Sequence, residues 1–363
     1  MNPTRQLHDL GQRIWLDNIT REMLASGTLG GYIRDLSVTG LTSNPTIFEH
    51  ALRSGSAYDE TIRRKALEGQ SGEALFFELA QEDLSVAADL FRPLHDATDG
   101  IDGWVSLEVS PLLADDAAGT IRAAAQLHAR MRRPNLFIKI PGTVAGLAAI
   151  EASIFAGIPV NVTLLFSREQ YLAAAAAYLR GIERRVAAGL DPNVASVASL
   201  FVSRWDVAVN HKVTPAFRNR LGIAVAMHTY KAYRDLLAAP RWCALAARGA
   251  RPQRLLWAST GTKDPAMAEA FYVEALVAPD TINTIPEKTL LAFAAQGSVR
   301  SVLPTDEGYA EATLAEFTRE GIDIEALAAT LQRDGTAAFA ASWGDLMVRI
   351  ASRSAALTAA SVA

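Results

Sequence analysis

Leu136-Phe137-Ile138-Lys139-Ile140-Pro141 is a short apolar run interrupted by one lysine. Its length and its content read as a buried strand. Strand side chains alternate, so Leu136, Ile138 and Ile140 share one face and Phe137 and Lys139 the other. The first face is fit to pack on helices. The second would carry an amine out of water, where the ammonium is disfavoured and the neutral, nucleophilic amine favoured. The alternative is a lysine at the strand's edge, reaching solvent on its aliphatic stem.

Similar runs recur at 14–17, 38–44, 104–110, 160–165, 197–203 and 255–259, with a weaker one at 281–285. Helical patterns lie between them, among them 114–130, 142–156, 168–188 and 264–276. Eight strands alternating with helices predict a parallel sheet, and at this count a closed (β/α)8 TIM barrel of the α/β class. An open doubly wound sheet is the runner-up. No repeat or Pro/Gly-rich linker divides the chain, so 1–363 reads as one barrel domain. Extra helices are expected at 51–99, between strands two and three, with patterns at 58–67 and 73–91. Others are expected at 305–354, where Phe339, Trp343, Leu346, Met347 and Ile350 make one apolar face for folding back over the barrel. Residues 355–363 are rich in Ala, Ser and Thr and are expected to fray.

Composition narrows the function. Half of the 363 residues are hydrophobic and the net charge is −4, which leaves no basic stripe for nucleic acid and no polybasic membrane segment. The polar start Met1-Asn2-Pro3-Thr4-Arg5-Gln6 leads into no signal-type apolar region. The alanine-rich stretch 171–178 is too short for a bilayer, which takes about 20 apolar residues. A cytoplasmic protein is expected, and a homodimer is left open. Cys243, the single cysteine, permits no internal disulfide and reads as a buried or inert thiol. His8, His50, His95, His128, His211 and His228 are scattered, form no HxH or HExxH, and fall outside the inward layers, so metal catalysis is disfavoured.

The same parity rule sorts every strand. Trp15 and Asp17 face in on the first, Thr42 and Asn44 share a face at the end of the second, and Trp104, Ser106, Glu108 and Ser110 face in on the third. Asn161 and Thr163 face in on the fifth, with Val160, Val162 and Leu164 facing out. Ser199, Phe201 and Ser203 share the inward face of the sixth, and Ser259 ends the seventh, in phase with Leu255 and Trp257. The inward set is Asp17, Asn44, Glu108, Lys139, Asn161, Thr163, Ser199 and Ser259. A barrel interior is ordinarily Val, Ile and Leu, so this many inward polar groups must bond one another or a ligand. A satisfied polar core is the plain reading; an active site at the C-terminal face is the functional one.

That set suits Schiff-base chemistry. A neutral amine attacks a ketone and loses water, and the iminium then accepts electrons from a neighbouring C–C bond. Glu108 is the candidate acid/base for dehydration, with Thr163 able to hold a water, and Asp17 the candidate for the hydroxyl proton at the cleaved bond. Asn44 and Asn161 offer amides to substrate hydroxyls, or serve as strand-end turn residues. Arg204, with Ser199 on its side, could take a phosphate, or pair with Asp206 at the surface. Gly261 and Lys263, in Ser259-Thr260-Gly261-Thr262-Lys263, offer a second anion contact, without a P-loop spacing.

Leu41-Thr42-Ser43-Asn44-Pro45-Thr46, Phe137-Ile138-Lys139-Ile140-Pro141-Gly142-Thr143, Asn161-Val162-Thr163-Leu164-Leu165-Phe166 and Ser199-Leu200-Phe201-Val202-Ser203-Arg204 closely resemble the transaldolase family. The resemblance runs over about 14–290, and the 51–99 and C-terminal helices look like its longer bacterial branch. It implies a class I aldolase-type barrel without a cofactor. The family moves a dihydroxyacetone unit from sedoheptulose 7-phosphate to glyceraldehyde 3-phosphate, giving erythrose 4-phosphate and fructose 6-phosphate. By motif, Lys139 would form the Schiff base, Glu108 and Thr163 would handle the water, and Asp17 would be the second acid/base. Thr42, Asn44, Asn161 and Ser199 would hold the dihydroxyacetone portion, with Arg204 and Ser259 on the phosphate. Much of the family has an arginine just after the Ser259 position; here Lys263 would substitute, as a point charge on a flexible stem.

Three rivals remain. A free aldolase on the same scaffold would release dihydroxyacetone or act on fructose 6-phosphate; a tyrosine at the Phe201 position would have favoured it. A silent sugar-phosphate binder should lack some of Lys139, Glu108 and Asp17, and all three are present. A metal-dependent aldolase is opposed by the histidine placement.

Overall fold

The protein's computed structural model describes residues 2–306 and 308–359. Eight parallel strands pair in chain order into a closed barrel. They are β1 (Arg13–Leu16), β2 (Val38–Thr42), β3 (Trp104–Glu108), β4 (Leu136–Pro141), β5 (Val160–Leu165), β6 (Ser196–Phe201), β7 (Gln253–Ala258) and β8 (Ile282–Ile285). Closure is direct: Arg13 lies opposite Ile282 and Leu16 opposite Ile285. The doubly wound alternative is therefore excluded.

The strands end where helices begin, which is why β2, β3 and β6 stop two residues short of the sequence expectation. Asn44 caps the Pro45–Ser54 helix by accepting from Ile47 N at 3.0 Å. Ser110 leads into the Pro111–Leu113 turn, and Ser203 opens the Ser203–Val209 helix. After β4, Thr143 caps the Val144–Phe155 helix through Gly146 N. Gly146 is required there, since a Cβ would meet Pro141 O at 1.9 Å. The helix expected at 264–276 shrinks to Phe271–Ala275. Asp264 Oδ1 accepts from Ala266 N, and Thr262 Oγ1 donates to Ala268 O, so side chains take the bonding that a helix needs.

Two apolar layers result. Ile14, Leu107, Ile138, Val162 and Leu255 face the helices. Inside, the lower barrel is filled by Trp15, Trp104, Phe137, Val197, Leu256 and Ile282, with the Trp104 and Phe137 rings 4.1 Å apart. Gly40 makes room for this plug, because a Cβ would sit 2.5 Å from Trp15 Nε1. The polar layer above it rests on a rigid aromatic floor.

Helices Pro45–Ser54, Asp59–Leu67 and Gly72–Ala97 follow β2, and all three pack on the C-terminal helix Ile324–Ala359. Trp343 sits against Phe76 and Phe77 at 4.9 and 5.8 Å, and Arg349 pairs with Glu49 at 2.7 Å. Arg353 bonds Asp59 and the carbonyls of Leu52 and Gly55. So anchored, the helix runs unbroken through 355–359, against the fraying expected there; 360–363 lie outside the described residues. No helix among the described residues is long and apolar enough to cross a membrane. Cys243 is exposed on the Pro240–Ala246 helix, correcting the expectation of a buried thiol.

Candidate active site

β3, β4 and β5 set three polar residues in one layer: Glu108 is opposite Lys139, and Lys139 opposite Asn161. Lys139 points into the barrel. Its Nζ lies 3.2 Å from Glu108 Oε2 and donates to Ser43 O at 3.3 Å. Lys139 and Glu108 are each 5% exposed, which rules out the snorkelling alternative. Lys139 opens into a cavity of about 940 Å³ at the C-terminal end of the strands. Asp17, Thr42, Asn44, Lys139, Asn161, Thr163, Ser199, Phe201, Arg204, Ser259 and Lys263 all line it. A second cavity of about 620 Å³ lies at the opposite end, over Trp15 and Phe137. There Arg13 and Arg254 are both held by Asp102.

Burial pushes the Asp17 carboxyl up from the ordinary aspartate range, against the opposing pull of Lys139 and Lys263. Burial likewise pushes Glu108 up; Lys139 opposes this, and the like charge of Asp17 adds to it. Both acids thus move towards the range where a carboxyl can give and take protons near neutrality. Thr42 Oγ1, Thr163 Oγ1 and Glu108 Oε1 are buried without a hydrogen-bond partner among the described residues. A buried polar atom left this way needs a ligand or water to offset its desolvation.

The amide chemistry is more committed. Asn161 Nδ2 donates to Ser106 Oγ at 3.1 Å, and its Oδ1 accepts from Ser199 Oγ at 2.8 Å. Asn44 spends its oxygen on its helix cap, as the turn-residue reading expects, and its side chain also lines the cavity. On the other side, Arg204 is half-buried, has no ion pair among the described residues, and lies 5.9 Å over the Phe201 ring. A buried guanidinium stays charged, so it favours an anion. Ser259 Oγ shares a hydrogen bond with Ser203 Oγ at 2.9 Å, and Lys263 reaches the rim, exposed.

The alternative pairing of Arg204 with Asp206 does not form. Asp206 turns inward and accepts from Leu221 N at 2.9 Å, Gly222 N at 3.2 Å and Tyr272 OH at 2.7 Å. Burial lifts its carboxyl to about 6. A folded-state value above the unfolded one means that its stabilising contribution is complete below about pH 4 and lost as pH rises through 6. Asp206→Asn should keep the two backbone bonds on its oxygen, turn the third round so that its amide donates to Tyr272 OH, and escape that loss. We expect it to be more stable than the parent at pH 8, by up to about 3 kcal/mol, with the gap closing towards pH 4. Urea melts across pH 4–8 check this; a gap independent of pH would remove the titration as its cause.

Two parity assignments are corrected. On β7, Leu255 and Trp257 face the helices, while Leu256 and Ala258 face in. Ser259 reaches the cavity through a left-handed turn (φ 56°), not by alternation. On β5 a bulge places Leu164 at φ 59° and turns it into the interior cluster. His50, exposed on the Pro45–Ser54 helix and outside the inward strand layers as expected, reaches the cavity mouth, and its Nδ1 is 2.7 Å from an Arg53 nitrogen. Sequence reasoning also missed Thr284, Leu331, Asp334 and Phe339 in the wall. Thr284 was readable from β8 parity; Leu331 and Asp334 come from the distant C-terminal helix without a local signal, and Phe339 was read there only as part of an apolar face folded over the barrel.

The family model for transaldolase/fructose-6-phosphate aldolase matches residues 14–350. The chain belongs to this family. It is 44% identical to a transaldolase of Thermobifida fusca over 98% of this chain and 100% of that protein. A transaldolase of Acidothermus cellulolyticus is 44% identical, over 96% of each chain. One of Parafrankia sp. is 45% identical, over 95% of this chain and 96% of that one. In a member of this family, a buried amine against a carboxyl at the mouth of the barrel has a ready chemical use.

Proposed function

We propose that this enzyme is a transaldolase, a transferase that moves a dihydroxyacetone unit from sedoheptulose 7-phosphate to glyceraldehyde 3-phosphate. The carrying observation is the buried Lys139–Glu108 contact at 3.2 Å. The Lys139 amine adds to the donor ketone. Glu108, acting through a water held by Thr163, protonates the carbinolamine hydroxyl, which leaves as water. Asp17 takes the proton of the hydroxyl beyond the scissile bond. The C–C bond breaks, its electrons enter the iminium, and erythrose 4-phosphate departs. The enamine left on Lys139 attacks the aldehyde of glyceraldehyde 3-phosphate, and the first steps in reverse release fructose 6-phosphate. Thr42, Asn44, Asn161 and Ser199 orient the hydroxyls, and Arg204, Ser259 and Lys263 meet the phosphate.

These steps call on no cofactor or metal, and on no nucleic acid or membrane. Phosphorylated sugars do not cross bilayers unaided, so the substrates place the enzyme in the cytoplasm. Phe201 lines the cavity and packs on Phe166 at 5.3 Å; its phenyl has no hydroxyl to hold a hydrolytic water, which favours transfer over the free-aldolase reading.

Borohydride with fructose 6-phosphate, followed by peptide mapping, tests the mechanism. An irreversible adduct on Lys139 is expected; a label elsewhere, or turnover abolished by a chelator, overturns it. Lys263 gives a second test. Lys263→Ala should raise KM for phosphorylated substrates more than it lowers kcat, the mark of uniform binding lost. An unchanged KM removes Lys263 from the site.

A further inference from the structure

The C-terminal helix does more than close the chain. Gln332 Nε2 donates to Gly142 O at 3.1 Å and to Leu164 O at 2.9 Å, so the helix is tied to the carbonyls just beyond β4 and at the end of β5. One turn on, Gly335 allows close approach, since a Cβ would lie 2.9 Å from Leu164 Cδ2. Another turn on, Phe339 is 6% exposed and its ring centroid lies 5.7 Å from Lys139 Nζ. Leu331 and Phe339 both line the cavity. Beyond them, Trp343, Arg349 and Arg353 fasten the helix to the three helices that follow β2. None of the proposed catalytic residues lies on those helices. What they do hold is the segment that carries Phe339 over the amine.

We propose that Phe339 is a specificity-determining residue that keeps water from the enamine on Lys139, and that the helices following β2 serve as its mount. The proposal rests on the transaldolase reading. After the aldose leaves, the enamine has two fates. It can attack an acceptor aldehyde, or it can take a proton at carbon, add water at the iminium carbon and release dihydroxyacetone with the free amine. The second path returns the water lost when the Schiff base formed, so its sum is fructose 6-phosphate split into dihydroxyacetone and glyceraldehyde 3-phosphate. An apolar ring above the amine disfavours the second path by excluding the water that it needs, while leaving room for a sugar to displace solvent. Polar substrate groups would bind less well to Phe339 than to the asparagines, which fits a shield and not a substrate ligand.

The test measures two products in parallel from fructose 6-phosphate: sedoheptulose 7-phosphate with erythrose 4-phosphate present, and free dihydroxyacetone without it. In Phe339→Ala the ratio of release to transfer should rise about tenfold, equivalent to about 1.4 kcal/mol between the two barriers. Phe339→Leu, which keeps apolar bulk, should restore most of the parent ratio. Gln332→Ala, which frees the helix from both carbonyls, should move the ratio in the same direction as Phe339→Ala. If Phe339→Ala and Gln332→Ala slow both reactions equally, the role is structural and the proposal falls. If the parent makes no sedoheptulose 7-phosphate at all, the transaldolase reading fails first, and the two failures are thereby told apart.

Discussion

Lys139→Met should lose transaldolase turnover by about 10⁴-fold or more and give no borohydride adduct, since removing a covalent nucleophile removes the pathway and not one interaction along it. The fold should survive. Removing one member of a buried ion pair ordinarily costs about 3–5 kcal/mol, because the partner is left charged and alone. Here Glu108 has an escape: burial already pushes its carboxyl up, and Lys139 is the main opposing influence. Without the amine it can bind a proton and be buried neutral. The variant should therefore lose most stability at high pH, where holding that proton is costly, and little at low pH. Lys139→Met/Glu108→Gln should remove the pH dependence of the loss. Turnover and thermal melts at two pH values check both halves. Residual turnover within tenfold of the parent would end the Schiff-base mechanism.

The barrel was legible because its strands carry their own period. β4 and β5 have the bounds that alternation predicts, and Trp15 with Asp17, and Phe137 with Lys139, share faces as parity requires. Errors fall where the backbone leaves the regular strand. Leu164 and Ser259 adopt positive φ, and beyond such a residue the two-residue period resets. No propensity marks either site, since neither is glycine. The short helix Phe271–Ala275 is a different failure: Asp264 and Thr262 divert backbone groups that the apolar pattern alone assigns to a helix.

The cavity was legible in its floor and not in its roof. Every strand or strand-end residue given a role in the reaction or in substrate binding lies in the wall, save Glu108, which lies against Lys139. Leu331, Asp334 and Phe339 arrive from a helix 192 to 200 residues later in the chain than Lys139, and the apolar face that carries Leu331 and Phe339 reads equally well as ordinary packing. The carbonyl ties of Gln332 and the approach of Phe339 to Lys139 show which part of the barrel that face meets.

Asp17→Asn separates the two halves of the reaction. Dehydration to the iminium is assigned to Glu108 and Thr163, and C–C cleavage to Asp17. The variant should still form the Schiff base and then stall. Turnover should fall by about 10²–10⁴-fold, the usual contribution of a positioned general base. Trapping with fructose 6-phosphate should change character: the parent yields a three-carbon adduct on Lys139, while Asp17→Asn yields an intact, phosphorylated six-carbon adduct. Mass analysis of the labelled peptide reads this directly. The pH profile adds a signature. Burial raises the Asp17 carboxyl, and cleavage needs it ionised, so parent turnover should fall as pH drops through a value above the ordinary aspartate range. Asparagine cannot titrate, so that limb should vanish from the residual activity. A three-carbon adduct formed at the parental rate would show that another group takes the hydroxyl proton. Glu108 is the other carboxyl of the cluster: the like charge of Asp17 raises it, and both are held in check by the same amine.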